Sequence, residues 1–214
     1  MFTCGDKKGT RQRLLESAAT IFTEKGYANT SVADICERAA ANIASVNYYF
    51  RSKDALYRSV LQFTREQAEA YYPISRPVED NPETRFYQLI LALLQRILNR
   101  EMAGNFYTLV AKEMVEPTSA SGEIVSQTIS RHQSIMKELI KEICGQDIDD
   151  ELLLRLYFSI LSQCFFFSYN EKGRQYHLQK DPIQFKDAEL FARHIADFSL
   201  AGMRCCCSLS GDLY

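Results

Sequence analysis

The stretch TSVADICERAAANIASVNYYFRSKD, residues 30–54, decides the fold of this chain. It opens with two cap residues, a threonine and a serine, and Val32–Arg38 follows with the apolar spacing of a short helix. The three alanines at 39–41 predict a turn, and Asn42 is a good N-cap for the next helix, Ile43–Tyr49. Two short helices joined by a turn of about three or four residues predict a helix-turn-helix.

Helical periodicity continues on both sides of this motif. Arg11–Lys25 has apolar residues at helical spacing and is followed by Gly26, a typical C-cap. Ser52 is suited to cap a helix over Lys53–Tyr72, and the three prolines within Pro73–Pro82 predict a linker. After a cap at Asn81, five further helices are predicted at Glu83–Arg100, between Gly104 and Pro117, and over Ser121–Cys144, Asp149–Tyr169 and Asp187–Cys207.

These patterns predict an all-α protein of about nine helices. Nine glycines and five prolines in 214 residues leave several long stretches uninterrupted, which disfavours a β-sandwich with its frequent turns. We expect two domains: a three-helix helix-turn-helix domain at 1–55 and a larger helical domain at 56–214.

Charge is distributed unevenly along the chain, although the net charge is only −2. Residues 1–65 contain 10 Lys and Arg against 6 Asp and Glu, a net of +4, and the remainder contains 15 against 21, a net of −6. A basic N-terminal third is typical of a segment that meets phosphates, and ordinary variation in surface charge is the alternative.

The cysteines and the N-terminus predict a cytoplasmic protein. There are seven cysteines, an odd number without a CxxC pair, and the first ten residues are polar and charged, unlike a secretory signal. No apolar run reaches the ~18–20 residues of a membrane span, so we expect no membrane association.

The helix-turn-helix segment resembles the TetR family of bacterial transcription factors. The matching residues are Ile35, Ala39, Asn42, Val46, Tyr48, Tyr49, Phe50, Ser52 and Lys53. Ala40 departs from the pattern, because the family usually has glycine in the turn. Alanine there must either avoid a positive φ or carry strain of about 1 kcal/mol.

The resemblance extends to the CecR (YbiH) subgroup of that family, through NIASVNYYFRSKDALY and through VAKEMVEP at Val110–Pro117. It implies a ligand-responsive regulator, in the first place a repressor, that binds a two-fold operator on double-stranded DNA as a homodimer. A small amphipathic ligand would release it, and members of the subgroup lie near genes for transport, efflux and drug sensitivity. Residues 56–214 would then bind the ligand and form the dimer.

The recognition helix is predicted to be Ile43–Tyr49. Ser45 and Asn47 are suited to hydrogen-bond base edges, and Ile43 and Ala44 to meet a thymine methyl group. Phosphate contacts are expected from Tyr48, by its resemblance to the family tyrosine, and from Lys53, Thr30 and Ser31, with a basic arm at Lys7, Lys8 and Arg11. Tyr49 and Phe50 are predicted to be core residues.

The body is expected to hold a ligand cavity and a dimer interface, as the resemblance implies. Candidate ligand-binding residues are Arg96, Phe106, Glu113, His132, Met136, Gln163 and Phe166, with Met102, Tyr107, Met114 and Phe165 as further lining. Candidate interface residues are Leu153, Ile160, Phe191, Ile195, Phe198 and Gly202, and a fully buried monomer helix is the alternative for this region.

Sequence motifs give no support for catalysis, a cofactor or a metal. The three histidines share no metal-ligand spacing, and neither GxSxG, HExxH nor a Gly-rich phosphate loop occurs. Two alternatives stay open: a redox or soft-metal sensor that uses Cys205–Cys207, and a ligand-independent DNA-binding protein, for instance one that bends DNA. Adjacent cysteines on a helix point apart, which disfavours the metal site.

Overall fold

The computed structural model describes residues 9–74, 81–99, 102–166, 176 and 187–209, and within these ranges it contains nine α-helices and no strand. The helices are α1 (Thr10–Lys25), α2 (Val32–Arg38), α3 (Ile43–Tyr49), α4 (Lys53–Tyr71), α5 (Pro82–Leu98), α6 (Met102–Val115), α7 (Gly122–Cys144), α8 (Asp150–Phe165) and α9 (Ala188–Leu209). The predicted all-α class is confirmed.

Local side-chain caps explain where several of these helices begin. Ser31, Asn42, Ser52 and Asn81 each accept a hydrogen bond from a backbone N–H in the first turn of the helix that follows. The sequence predicts all four caps. At the other end of α1, Gly26 adopts φ 80°, a backbone conformation that glycine reaches without steric cost.

The boundaries differ from the prediction in a few places. Helix α6 begins at Met102 and so includes Gly104, which was expected to precede it. Helix α4 ends at Tyr71, and the predicted linker is described only at residues 73–74 and 81–82. The predicted extension of α8 to Tyr169 lies outside the described residues beyond Phe166.

One continuous apolar core joins the helix-turn-helix to the body. Helix α1 packs on α2, α3 and α4, and α4 packs in turn along α6, while α5 packs against α9. Leu56, Tyr57, Val60 and Leu61 of α4 are all buried in this core. The expected domain boundary after residue 55 therefore falls in the first turn of a helix that belongs to both regions. None of the described helices is long and apolar enough to cross a membrane.

Candidate nucleic-acid interface and the body behind it

Helix α3 turns one apolar residue inward and its polar residues outward. Val46 is buried, whereas Ile43, Ala44, Asn47 and Tyr48 are exposed and Ser45 is half-buried. The helix is fixed at its start by Asn42, whose side-chain oxygen accepts from the N–H of Ala44 at 2.9 Å. An exposed, capped helix with short polar side chains in its N-terminal half has the form of a major-groove recognition helix.

The turn before α3 is a Schellman motif closed by an alanine. The N–H of Ala41 donates to the carbonyl of Cys36 at 2.9 Å, and the N–H of Ala40 donates to that of Glu37 at 3.1 Å. Ala40 adopts φ 47°, in the left-handed region that glycine normally occupies in this motif. Of the two outcomes foreseen for this alanine, the strained one is realised, and the turn keeps its usual geometry.

The start of α2 offers a smaller contact surface than expected. The Ser31 hydroxyl accepts from the N–H of Asp34 at 3.1 Å, and the Asp34 carboxylate accepts from the N–H of Ser31 at 3.4 Å. Thr30 is buried and its hydroxyl donates to the Gly26 carbonyl at 2.7 Å. The assignment of Thr30 as a side-chain phosphate contact is therefore wrong, because its hydroxyl closes the loop after α1.

The burial of the three consecutive aromatic residues at 48–50 differs from the prediction at one position. Phe50 is buried, as predicted, and the Arg11 guanidinium lies 5.4 Å from its ring centroid. Tyr48 is 79% exposed, which leaves its hydroxyl free to reach a phosphate. Tyr49 was expected in the core but is 41% exposed, because it lies on the Tyr48 ring at 4.9 Å on the outer side of α3. Lys7 and Lys8 lie outside the described residues.

Lys53, at the start of α4, is held by an aromatic ring. Its Nζ lies 4.3 Å from the ring centroid of Tyr27, a cation–π contact worth about 0.5–1 kcal/mol at an exposed site. The Tyr27 hydroxyl donates to the carboxylate of Asp54, the next residue on α4. Burial, and then this carboxylate, raise the pKa of Tyr27 to about 12, so the ring stays neutral beneath the lysine.

A buried carboxylate connects α4 to the body. Glu113 of α6 accepts from the Tyr57 hydroxyl at 2.7 Å, and from the backbone N–H and hydroxyl of Thr118 at 2.8 and 3.0 Å. It also accepts from the Ser121 hydroxyl. Burial, and then the bonded carboxylate, raise the pKa of Tyr57 well above its usual range. Both oxygens of Glu113 are thus occupied by protein donors, which contradicts its assignment as a ligand-orienting group.

A second buried charge binds the other end of α4. Arg96 of α5 donates from Nε to the Tyr72 carbonyl at 2.7 Å, from Nη1 to the Tyr107 hydroxyl at 3.0 Å, and from Nη2 to the Glu69 carboxylate at 2.8 Å. A cation at the C-terminus of a helix is favoured by the helix dipole. Arg96 therefore anchors the end of α4, which sequence reasoning did not foresee.

His132 of α7 contacts Tyr107, the same tyrosine to which Arg96 donates. Its ring stacks on that of Tyr107 at 6.2 Å, almost parallel, and Phe165 approaches the same tyrosine at 6.3 Å. Burial, followed by the charges of Arg96 and Arg131, lowers the pKa of His132 to about 3, so the imidazole is neutral at physiological pH. The structure brings Arg96 and His132 together, as expected of two ligand-site candidates.

The remaining ligand candidates are scattered. Phe106 and Met136 are buried in the core, and Gln163 donates to the Ser159 carbonyl at 3.2 Å and to the Ser199 hydroxyl at 3.4 Å. Phe166 and Met114 are each 58% exposed, which contradicts their placement in an interior lining. The side chain of Met102 lies outside the described part of the chain.

Some of the predicted interface residues on α8 and α9 are buried within the protomer, and others are exposed. Leu153, Ile160 and Ile195 are buried within the protomer, which contradicts their assignment to a dimer contact, and Phe191 is half-buried against the core. Phe198 is 65% exposed, and a Cβ at Gly202 would meet no atom within 4 Å. Leu154, Phe158 and Leu190 are exposed as well, at 39%, 53% and 70%. Leu154 and Phe158 are four residues apart, and Leu190 and Phe198 are eight apart, so each pair lies on one side of its helix. This spacing is visible in the sequence, but a helix with apolar residues on several sides does not indicate which side faces the core.

The cysteines of α9 meet a fourth cysteine at the end of α7. The Cys144 thiol hydrogen-bonds with that of Cys207, and burial, then this bond, raise the pKa of Cys144 to about 12. Cys205 is exposed. A thiol with a raised pKa is a poor nucleophile. Within the described ranges, no group of three or more His, Cys, Asp or Glu residues is placed to hold a metal ion.

Two family models cover the regions that the geometry distinguishes. Residues 14–60 match the model of the bacterial regulatory proteins of the tetR family. Residues 82–203 match the model of the C-terminal domain of the HTH-type transcriptional dual regulator CecR. The chain belongs to the TetR family of DNA-binding transcriptional regulators, and its body is a CecR-type domain. The prediction of a regulator rather than an enzyme is confirmed by this membership.

Individual relatives are regulators at modest identity. The chain is 29% identical to the dual regulator CecR of Shigella flexneri over 67% of this chain and 69% of that protein. It is 24% identical to the repressor NicS of Pseudomonas putida over 91% of this chain and 92% of that protein. The probable regulator YttP of Bacillus subtilis is 27% identical over 64% of this chain, and the match spans 65% of YttP, just under two thirds of its length.

Solved structures share the fold. The TetR-family regulator PfmR from Thermus thermophilus has a TM-score of 0.67 at 20% identity, over 90% of this chain and 96% of PfmR. AibR, solved in complex with isovaleryl coenzyme A and operator DNA, has a TM-score of 0.66 at 14% identity, over the same shares of the two chains. At these identities the likeness shows the all-α arrangement.

Proposed function

We propose that this chain is a ligand-responsive repressor that binds a two-fold operator as a homodimer and acts in the cytoplasm, where the bacterial chromosome is found. The observation that carries the proposal is the exposed face of α3, fixed between the Asn42 cap and the buried Val46. Membership of a family of DNA-binding regulators supports the role that we propose for that face.

The proposed DNA contacts follow from exposure. Asn47 is the base reader that we favour, because it is exposed and its amide can pair bidentately with adenine. Ser45, Ile43 and Ala44 flank it on the same face. Tyr48, Lys53 and the Ser31 hydroxyl, whose hydrogen is not used in the capping box, are the proposed phosphate contacts, which set register and orientation rather than sequence.

The proposed dimer uses the outer sides of α8 and α9. Leu154 and Phe158 on α8, and Leu190 and Phe198 on α9, are exposed large apolar residues, and exposed apolar patches of this kind mark interaction sites. A second copy of the chain is the occupant that we favour, because a two-fold operator requires a two-fold protein. Exposed Ala201 and Gly202 would let the two copies of α9 approach closely.

The proposed ligand site lies beside Tyr107, between α5, α6, α7 and α8. Tyr107, His132 and Phe165 supply aromatic groups there, and Arg96 holds the Tyr107 hydroxyl in place. The neutral His132 can donate one hydrogen bond and accept another, which suits a small amphipathic molecule. AibR, which shares the fold, was solved with an acyl coenzyme A and operator DNA, and this supports the same general arrangement of sensor and reader.

The test of the DNA-binding proposal starts from a library of promoter fragments titrated with purified protein. On the selected operator, Asn47→Ala should cost about 1–3 kcal/mol in binding while hardly changing the affinity for mixed-sequence DNA. Tyr48→Ala is the control and should weaken binding to both DNAs alike. Equal losses on both DNAs for Asn47→Ala would make Asn47 a backbone contact, and failure to select any fragment would reject the proposed function.

A further inference from the structure

We propose that Glu113 and Tyr57 are positioning residues for the phosphate contact of Lys53. Together with Tyr27 they form what we call the interdomain relay: Glu113, Tyr57 and Tyr27. Through this relay the α6–α7 segment of the body sets the position of the first turn of α4. The inference rests on the proposed function, because it requires that Lys53 contacts a phosphate.

The body end of the relay is closed and buried. Glu113 is 5% exposed, and its carboxylate accepts from the Tyr57 hydroxyl on one side and from Thr118 and Ser121 of the α6–α7 turn on the other. Any displacement of that turn relative to α6 removes donors from the carboxylate. An uncompensated buried charge is costly, so the turn and Tyr57 are expected to move together.

The DNA end of the relay is a contact between two tilted aromatic rings, with a lysine over one of them. Tyr57 follows Lys53 by four residues, one helical turn on the same side of α4. The Tyr57 ring lies 4.9 Å from the Tyr27 ring, and the Lys53 ammonium lies 4.3 Å from the centroid of that same Tyr27 ring. The Tyr27 hydroxyl also donates to Asp54. Tyr57 thus fixes Tyr27, and Tyr27 fixes both residues that begin α4.

This arrangement gives each member of the relay a role beyond packing. A lysine side chain in water samples many rotamers, and a phosphate contact must select one of them. The contact with the Tyr27 ring holds Lys53 at one place before DNA arrives. Release of Tyr57 from Glu113 would loosen the packing of Tyr57 on Tyr27 and weaken the phosphate contact without any change in the recognition helix.

The experiment measures how DNA affinity depends on salt, using the full chain and a mixed-sequence duplex. The slope of log K against log salt changes by about 0.9 for each phosphate that the protein no longer neutralises. The variants are Lys53→Ala, Tyr57→Phe, Glu113→Gln and the double variant Lys53→Ala with Tyr57→Phe. Tyr157→Phe is the matched control, because Tyr157 of α8 is buried as Tyr57 is, and the substitution removes the same phenolic hydroxyl outside the relay.

We expect Lys53→Ala and Tyr57→Phe each to reduce the slope, with no further reduction in the double variant. Glu113→Gln should reduce it as well, whereas Tyr157→Phe should leave the slope unchanged. A reduced slope for Lys53→Ala alone would overturn the relay and leave the proposed phosphate contact standing. An unchanged slope for Lys53→Ala would overturn both, and equal slopes for Tyr57→Phe and Tyr157→Phe would reduce Tyr57 to a structural residue.

Discussion

The helix-turn-helix and the body differ in the residues that they bury. Around α3 the buried residues Val46 and Phe50 are apolar, and the exposed face combines the polar Asn47 with Ile43 and Tyr48. In the body the charged Arg96 and Glu113 are inside, whereas Phe158 and Phe198 are outside. A region with its polar groups outside is suited to meet a charged polymer. A region with exposed aromatic groups is suited to associate with another apolar surface. Its buried charges can adopt more than one arrangement of hydrogen-bond partners.

The strongest way to break this comparison is to charge the apolar exterior of the body. Phe198→Asp and Gly202→Glu should each abolish the proposed dimer, since a charge in a desolvated contact costs several kcal/mol. Sedimentation should show a monomer, with operator binding lost. Gly202 has open space around it in the protomer, so the protomer should stay folded.

The control for the dimer variants is Tyr71→Asp. Tyr71 is 64% exposed, as Phe198 is 65% exposed, but it lies at the end of α4. This variant should remain dimeric. Dimers that survive both α9 substitutions would place the interface on another surface.

The buried charge of the body is tested by Arg96→Met. Removal of the guanidinium leaves the Tyr72 carbonyl and the Tyr107 hydroxyl without that donor, and Glu69 without its closest ion-pair partner. We expect a loss of about 2–4 kcal/mol in the free energy of unfolding, measured with urea. Arg85→Met is the control on the same helix, since its side chain is 16% exposed against 3% for Arg96, so its pair with Glu142 should contribute less. Equal losses would mean that Arg96 is no more important than a half-buried arginine.

The neutral histidine of the body predicts a pH dependence. In the folded chain the pKa of His132 is about 3, and in the unfolded chain it is near its ordinary value of 6.5, so the unfolded state binds the extra proton between these values. Stability should therefore fall as the pH drops from 6.5 toward 3, by at most about 1.4 kcal/mol per pH unit from this group. Above pH 6.5 the contribution is constant.

His132→Phe should remove that part of the acid sensitivity, as seen by subtracting its stability curve from that of the parent chain. His194→Gln, at an exposed position on α9, is the control for the loss of an imidazole. A difference curve that is flat from about pH 4 to 7 would show that the imidazole is solvated in the folded protein.

The smallest effect is expected in the turn of the helix-turn-helix. Ala40→Gly should stabilise the chain by about 0.5–1 kcal/mol, because relief of left-handed strain outweighs the added freedom of the unfolded state. Ala33→Gly, at an exposed position within α2, should instead destabilise it by a similar amount. The free energies should be compared at one protein concentration, because dimerisation shifts apparent stability. A loss at both positions would mean that the turn is not strained.

The sequence predicted the helix-turn-helix closely because its information is local. Caps such as Asn42 and Ser52 act on amides two or three residues away, and all four predicted caps form. Thr30 and Tyr49 were misplaced because their outcome depends on the loop after α1 and on packing between adjacent rings. The assignments of base and phosphate contacts remain predictions.

In the body the sequence predicted helices but not their neighbours. Glu113 bonds to Tyr57, which lies 56 residues earlier, and Arg96 bonds to Glu69 across 27 residues. Periodicity contains no information about such pairs. For α8 and α9 the apolar residues cover more than one side of each helix. Leu153 and Ile195, which are buried within the protomer, were therefore predicted to lie in the dimer interface.

Exposed Cys205 gives the molecule a built-in chemical reporter. It follows Phe198 by seven residues on α9 and so lies on the same outer side of the helix, whereas Cys36 and Cys164 are buried. In a Cys4→Ser background, Cys205 should be the thiol that alkylating reagents label first. Its labelling rate should fall as protein concentration rises, because assembly through this side of α9 would shield it. The same thiol is a natural attachment point for a spin label, and the distance between two labels would measure how far apart the two copies of α9 lie.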